Sequence, residues 1–303
     1  MNVTGNGFPR IAFIGFGEAG QAMAEGLRGE GVAAVAAWDI LFPDSAGARL
    51  KEAAKRIGVR IAENAADAVA DAGLVIAAVT AASSVEAAQS VAPHLRTQPF
   101  YLDVNSVSPG RKRQSEALLA GKARYLDVAI LSPILPLQHK SPLLIASPHA
   151  GDAAPMLRAL SMSFRILGPK TGEAAALKMV RSVMIKGIEA LTAECFLAAA
   201  RAGIVDEVAQ SLKNNYPTLD WPRVVHYNIE RMASHGVRRA AEMEEVAATL
   251  RELGVAPLMT EATVKRQRAL GEIGRAPDVR ASLDRGAAAM LAAIEDTATG
   301  EKS

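Results

Sequence analysis

The chain has 303 residues, half of them hydrophobic and 22% charged, which excludes a disordered polymer and leaves room for two domains with substantial cores. Lysine plus arginine number 34 against 32 acidic residues, so no overall basic footprint points to nucleic acid as a partner. The single cysteine, Cys195, excludes an internal disulfide and a cysteine-based metal site. It points to a reducing cytoplasm, and the expectation for Cys195 itself is a small buried hydrophobe. His94, His139, His149, His226 and His235 show no metal-ligand spacing, so no metal is expected. Met1–Pro9 is polar and glycine-rich, unlike a signal peptide. The longest uncharged apolar run, between Asp71 and Glu86, is shorter than the roughly 18 residues of a membrane span, so no membrane partner is expected.

The first half alternates strand-like and helix-like segments. Arg10–Ile14, Val32–Trp38, Leu74–Val79, Phe100–Val104 and Tyr125–Ile130 read as strands, followed by Leu143–Ser147 and Phe164–Leu167. Helices are expected at Glu18–Arg28, Ser45–Ile57, Ser83–Val91, Arg111–Leu119 and Ala153–Leu160. This βαβ alternation predicts a doubly wound parallel sheet over residues 1–170. After Gly168-Pro169 the character changes. Glu173–Ala200 lacks proline and predicts a helix about 40 Å long. Gly203, Pro217, Pro222, Gly236, Gly254 and Pro257 punctuate the remainder of the chain, with helices at Arg238–Leu253 and Leu258–Leu270. Residues 171–303 therefore read as an all-helical second domain with a frayed tail, Asp296–Ser303. Its alanine- and leucine-rich faces predict a homodimer.

The strongest local signal is Gly15-Phe16-Gly17-Glu18-Ala19-Gly20, between the first strand and its helix. In that setting Gly15 makes the tight turn, Gly17 lets backbone approach a pyrophosphate, and Gly20 allows close helix–strand packing. The pyrophosphate would lie at the helix N-terminus. Asp39, at the end of the second strand, suits ribose hydroxyls. The residues after it, Ile40, Leu41 and Phe42, include no arginine for a 2′-phosphate, which favours NAD while leaving NADP open. Val79 and Thr80, at the end of the strand from Leu74, and Asn105, after the strand from Phe100, complete the cofactor set.

The stretch Ile11-Ala-Phe-Ile-Gly-Phe-Gly-Glu-Ala-Gly-Gln-Ala-Met-Ala-Glu-Gly-Leu27 resembles the GxGxMGxxMAxxL opening of the β-hydroxyacid dehydrogenases, with Ala19 at the methionine position. That family includes 3-hydroxyisobutyrate and 6-phosphogluconate dehydrogenases. Asp103-Val-Asn-Ser-Val-Ser-Pro109 resembles the family segment DxSTxSP, which lies near nicotinamide and substrate. Lys178 follows Gly172 as the family's catalytic lysine follows its glycine. His235-Gly-Val-Arg-Arg-Ala-Ala-Glu-Met-Glu-Glu-Val246 resembles a 6-phosphogluconate-dehydrogenase-like subgroup. The resemblance implies NAD(P)-dependent oxidation of a small, anionic β-hydroxy acid, or the reverse reduction.

Departures are visible too. The family's DAPVSGG corresponds to Asp127-Val-Ala-Ile-Leu-Ser-Pro133, so Leu131, Ser132 and Pro133 stand at the substrate-binding positions and Pro133 has no N–H to offer a carboxylate. The asparagine four residues after the lysine is Ser182, and the family's KDLG segment is missing. These departures keep an imine reductase, or another reductase on the same scaffold, as an alternative. A non-catalytic dinucleotide-binding regulator would keep the glycine loop without needing Lys178.

Lys178 lies in the apolar stretch Ala174–Val180, next but two to Arg181, surroundings that lower a lysine's pKa toward neutrality. Such a lysine can take a hydroxyl proton while hydride leaves the same carbon. Ser182, one turn on, shares that face, whereas Lys186 points roughly 80° away by helix geometry. Asn105 and Ser106, at the end of a strand, are expected to orient the substrate hydroxyl. His235, Arg238 and Arg239 are candidates for holding its anionic group, although Arg238 and Glu242 also suit an i,i+4 surface pair. The active site is expected in the cleft between the two domains.

Overall fold

In the computed structural model, which describes residues 7–299, the aliphatic run Ile11–Ile14 forms the first strand, β1. It sits inside an eight-stranded sheet with β2 (Val35–Trp38), β3 (Arg60–Ile61), β4 (Leu74–Ala77), β5 (Phe100–Asp103), β6 (Arg124–Ile130), β7 (Leu143–Ala146) and β8 (Phe164–Gly168). The spatial order is β3-β2-β1-β4-β5-β6-β7-β8. Helices α1 (Glu18–Gly29), α2 (Ala48–Ile57), α3 (Ala65–Val69), α4 (Ser84–Val91), α5 (Pro109–Leu119) and α6 (Ala150–Ala159) connect the strands.

Alternate residues of the central strands feed two separate cores. Ile11 and Phe13 of β1, with Leu74 and Ile76 of β4, enter a cluster that includes Met23, Leu27 and Leu157. Ala12 and Ile14, with Val75 and Ala77, enter another that includes Val69, Val91 and Leu119. A sheet covered on both faces needs such unbroken apolar strands, which explains their legibility in the sequence.

The sheet departs from a purely parallel one at a single pair. β6 and β7 run antiparallel, with Asp127 opposite Ala146 and Ile130 opposite Leu143. A strand buried on both faces has the same apolar pattern in either direction, so the sequence carries no signal for this reversal. Other adjustments are local. The second strand starts at Val35 rather than Val32, Ser45–Gly47 is a 3₁₀ turn ahead of α2, and the short β3 and α3 have no strong periodicity.

The long helix α7 runs from Glu173 to Ala202, and the chain divides into two compact units between Met179 and Val180 within it. The second unit continues with α8 (Val205–Asn215), α9 (Trp221–Glu252), α10 (Leu258–Ile273), α11 (Pro277–Ser282) and α12 (Ala287–Thr299). Its core gathers Phe196, Ile229, Met232, Met290, Leu291 and Ile294. Pro222 stands in the first turn of α9, where a missing N–H costs nothing, and Asp220 caps that helix through the N–H of Arg223.

Gly236 does not punctuate this region; α9 passes through it unbroken. A Cβ on Gly236 would lie 2.2 Å from the carbonyl oxygen of Gln267, and one on Gly271 would lie 2.4 Å from the Val237 nitrogen. The two glycines let the backbones of α9 and α10 touch. Asp296–Thr299 close α12 rather than fraying, while residues 300–303 and 1–6 lie outside the described residues.

Candidate active site

The carboxyl ends of β2, β1, β4, β5 and β6 follow one another in the sheet, and these strands are mutually parallel. Asp39, Gly15, Val79, Asn105 and Leu131 therefore succeed each other along one edge, the edge where open α/β sheets bind ligands. The first unit thus carries a row of candidate residues from five separate segments.

The glycine loop fits a dinucleotide. Gly15 has φ +88°, and a Cβ there would lie 2.4 Å from the Ala78 carbonyl oxygen. A Cβ on Gly20 would meet the Gly15 carbonyl oxygen at 2.6 Å, so both are required by close backbone packing. Gly17 is the opposite case. A Cβ there would meet nothing within 4 Å, so the space above the start of α1 is open. Gly17 is also the N-cap and makes no side-chain cap bond. That combination of open space and helix N-terminus suits a pyrophosphate. Glu18 is exposed and Ala19 half-buried in the first turn.

Asp39 is half-buried just beyond β2. Its carboxylate accepts the N–H of Phe16 at 2.7 Å and that of Leu41 at 3.0 Å. It ties the glycine loop to the neighbouring strand and keeps acceptor capacity for further donors. The Phe16 ring packs with Phe13 and Phe42 in the core, so of the cofactor candidates Phe16 presents only backbone.

Asn105 braces the edge. Its side-chain oxygen accepts the Val79 N–H at 2.7 Å, its amide nitrogen donates to Ser84 Oγ at 3.4 Å, and the residue is buried. Thr80 occupies the N-cap position of the following 3₁₀ turn without a side-chain cap bond, and its hydroxyl lies 3.2 Å from that of Ser83. Ser106 is half-buried, and Lys178 Nζ donates to its hydroxyl at 2.5 Å. The lysine singled out by the sequence is thus joined to the β5 loop by its charged tip. Leu131 is half-buried, and Ser132 and Pro133 are exposed after β6.

Beneath this edge lies a charged cluster that sequence reasoning missed. Asp103 and Asp127 are register partners on β5 and β6. Lys112 of α5, fully buried, places Nζ 3.0 Å from Asp103 Oδ1 and 3.6 Å from Asp127 Oδ1, and donates to the Asp103 carbonyl at 2.6 Å. Tyr125 donates its hydroxyl to Asp103 Oδ2 at 2.7 Å. Asp127 Oδ2 accepts the N–H groups of Gly172, Ala174 and Ala175 at 3.0, 3.1 and 3.2 Å. Burial pushes the Asp127 carboxyl above the ordinary carboxylate range, against the opposing pull of Lys112 and those N–H groups.

Four candidates belong to the second unit. Ser182 is buried one turn beyond Lys178. Arg239 is buried and paired with buried Glu189, which also accepts from Gln267 at 2.8 Å. Arg238 pairs with Glu242, four residues on. Lys186 is also held by Glu242, at 3.0 Å, and burial lowers its pKa against that attraction. Both arginines thus serve intramolecular carboxylates in this structure. His235 is exposed on α9, its pKa lowered by partial burial and by Arg231 and Arg238. Cys195 is exposed rather than buried, on a helix whose Met184, Ile188 and Leu191 are also exposed. Among the described residues no group of three or more His, Cys, Asp or Glu side chains is placed to hold a metal ion.

Residues 10–106 match the family described as NADP oxidoreductase, coenzyme F420-dependent, and residues 199–270 match a domain of unknown function. A conserved hypothetical protein from Sinorhizobium meliloti is 35% identical, covers 96% of this chain and 97% of its own, and superposes with a TM-score of 0.76. A second conserved protein, whose structure reveals similarity with 3-hydroxyacid dehydrogenases, is 28% identical over 88% of this chain and 98% of its own, with a TM-score of 0.69. The chain belongs to the same family as the Sinorhizobium meliloti protein. The fold of this family extends to 3-hydroxyisobutyrate dehydrogenase from Mycobacterium tuberculosis, at 16% identity, 97% and 100% coverage and a TM-score of 0.67. No helix among the described residues is long and apolar enough to cross a membrane.

Proposed function

We propose that this family member is an NAD(P)-dependent oxidoreductase that interconverts a small β-hydroxy acid and its keto form, with Lys178 as acid–base. The observation that carries this reading is the Lys178 Nζ–Ser106 Oγ hydrogen bond at the sheet edge that also bears the glycine loop. Gly15–Gly20 would hold the pyrophosphate, and Asp39, Val79 and Thr80 would flank the rest of the dinucleotide. When bound, the nicotinamide supplies the two-electron chemistry by accepting or giving hydride. In oxidation, neutral Lys178 takes the substrate hydroxyl proton, and Ser106 holds Nζ in place. In reduction, the ammonium polarises the carbonyl and protonates its oxygen. Ser182 is assigned to orienting substrate.

Asp39 favours NAD in this reading, because a 2′-phosphate would meet its carboxylate. Exposed Val180, Met184, Ile188 and Leu191 follow helical spacing along α7 and suit a second copy of the chain, as a homodimer in the cytoplasm. A second reading is imine reduction, favoured by Leu131, Ser132 and Pro133 after β6, where proline offers no N–H to a carboxylate. Cofactor fluorescence with a panel of β-hydroxy acids, keto acids and imines separates the two. Turnover of imines alone would replace the hydroxy-acid assignment, and binding without turnover would leave a regulator.

A further inference from the structure

The Asp103–Lys112–Asp127 cluster has a direction. One ammonium lies between two carboxylates on adjacent strands, so the buried set carries a formal excess of one negative charge. That excess faces the start of α7, where three backbone N–H groups converge on a single Asp127 oxygen. A helix N-terminus carries about half a positive charge, so carboxylate and helix end complement one another. Gly172 makes the approach possible. It has φ +100°, and a Cβ there would lie 3.1 Å from Cβ of Pro109. Lys178 follows Ala175 by three residues, on the next turn of the helix that Asp127 holds.

We propose that Asp127 is a positioning residue for Lys178: its carboxylate, with Lys112 as counter-ion, docks the first turn of α7 on β6 and thereby sets Nζ against Ser106. This deepens the reading of Lys178 as acid–base and rests on it. Asp127 acts through the helix rather than on substrate. A purely structural role would lower the melting temperature alone, whereas a positioning role also changes the surroundings of the Lys178 tip and lowers kcat while sparing cofactor binding.

The test uses the full-length protein, its lysines reductively methylated with isotope-labelled methyl groups, and the Lys178 resonance assigned by its loss in Lys178→Arg. In Asp127→Asn that resonance is expected to move toward the position of a solvent-exposed lysine. On the unmethylated variant, kcat should fall by about 10- to 100-fold with unchanged NAD affinity, the scale of misplacing a reacting group by about an ångström. If Asp127→Asn does not fold, Asp127→Glu keeps the charge, displaces it by one methylene and carries the same test. An unmoved resonance, or an unmoved kcat, in a folded variant overturns the proposal. A fully active Lys178→Ala protein would instead remove the acid–base reading, while the resonance still reports whether Asp127 holds Lys178.

Discussion

The carboxylate of Asp39 accepts the backbone N–H of Phe16 at 2.7 Å, so the residue that follows the second strand also fixes the glycine loop after the first. Removing it should have two separable effects. Asp39→Ala should narrow the preference for NAD over NADP by removing the carboxylate that a 2′-phosphate would meet. It should also weaken both cofactors alike, because the loop loses its tie to β2. Titration of each cofactor by fluorescence checks this. Tighter NADP than NAD binding to the unmodified protein would overturn the assignment.

The Glu189–Arg239 pair is buried in the second unit, with Gln267 as a third partner. Removing one member strands a charge away from water. Arg239→Met should therefore lower the unfolding free energy by about 3–5 kcal/mol, and the double variant Glu189→Leu/Arg239→Met should lose much less. Denaturant unfolding at one protein concentration decides it, since association contributes to apparent stability. Equal losses in single and double variants would show that the pair is not the determinant.

His139 is buried against Gly26 of α1, Nε2 lies 3.7 Å from Glu30, and burial lowers its pKa against that attraction. A group whose folded pKa is depressed binds protons more readily in the unfolded state. Its stabilising effect is present above the ordinary imidazole value near 6.5 and is lost as pH falls through the folded value. The melting temperature should drop on acidification below that value, and His139→Asn should flatten the drop. A variant whose melting curve follows the parent at every pH would exclude His139 as the cause.

The glycine loop, Asp39 and the strand pattern were legible because each is local: a turn, a strand end, an unbroken apolar run. Lys178 was singled out because it follows Gly172 as the lysine of the resembled family follows its glycine, and its hydrogen bond to Ser106 is what the structure adds. The cluster beneath it was not legible, because Asp103 and Asp127 meet only through strand register, and Lys112 stands between Arg111 and Arg113, where no local pattern marks it as the buried one. Gly236 misled for a related reason. Glycine as helix breaker and glycine as crossing point look alike until Gly271 is placed opposite it. The Arg238–Glu242 pair was visible as an i,i+4 alternative to anion binding, whereas Glu189, fifty residues from Arg239, could not be seen to pair with that arginine.

The decisive test of the chemistry is Lys178 itself. Its ammonium is bound to Ser106 in the first unit, and the pyrophosphate candidates Gly15–Gly20 lie on other segments. Lys178→Ala should therefore lower kcat by about 10²–10⁴-fold, the range for losing a general acid–base group, while cofactor affinity stays nearly unchanged. Ser106→Ala should give a smaller loss, because Nζ remains but its partner is gone. Lys186→Ala should act mainly on stability, since its charge is committed to Glu242 in the helical unit. Steady-state kinetics with a verified substrate, beside cofactor titration of each variant, provides the measurement. Full activity in Lys178→Ala would rule out this mechanism and put the imine-type or regulatory readings ahead.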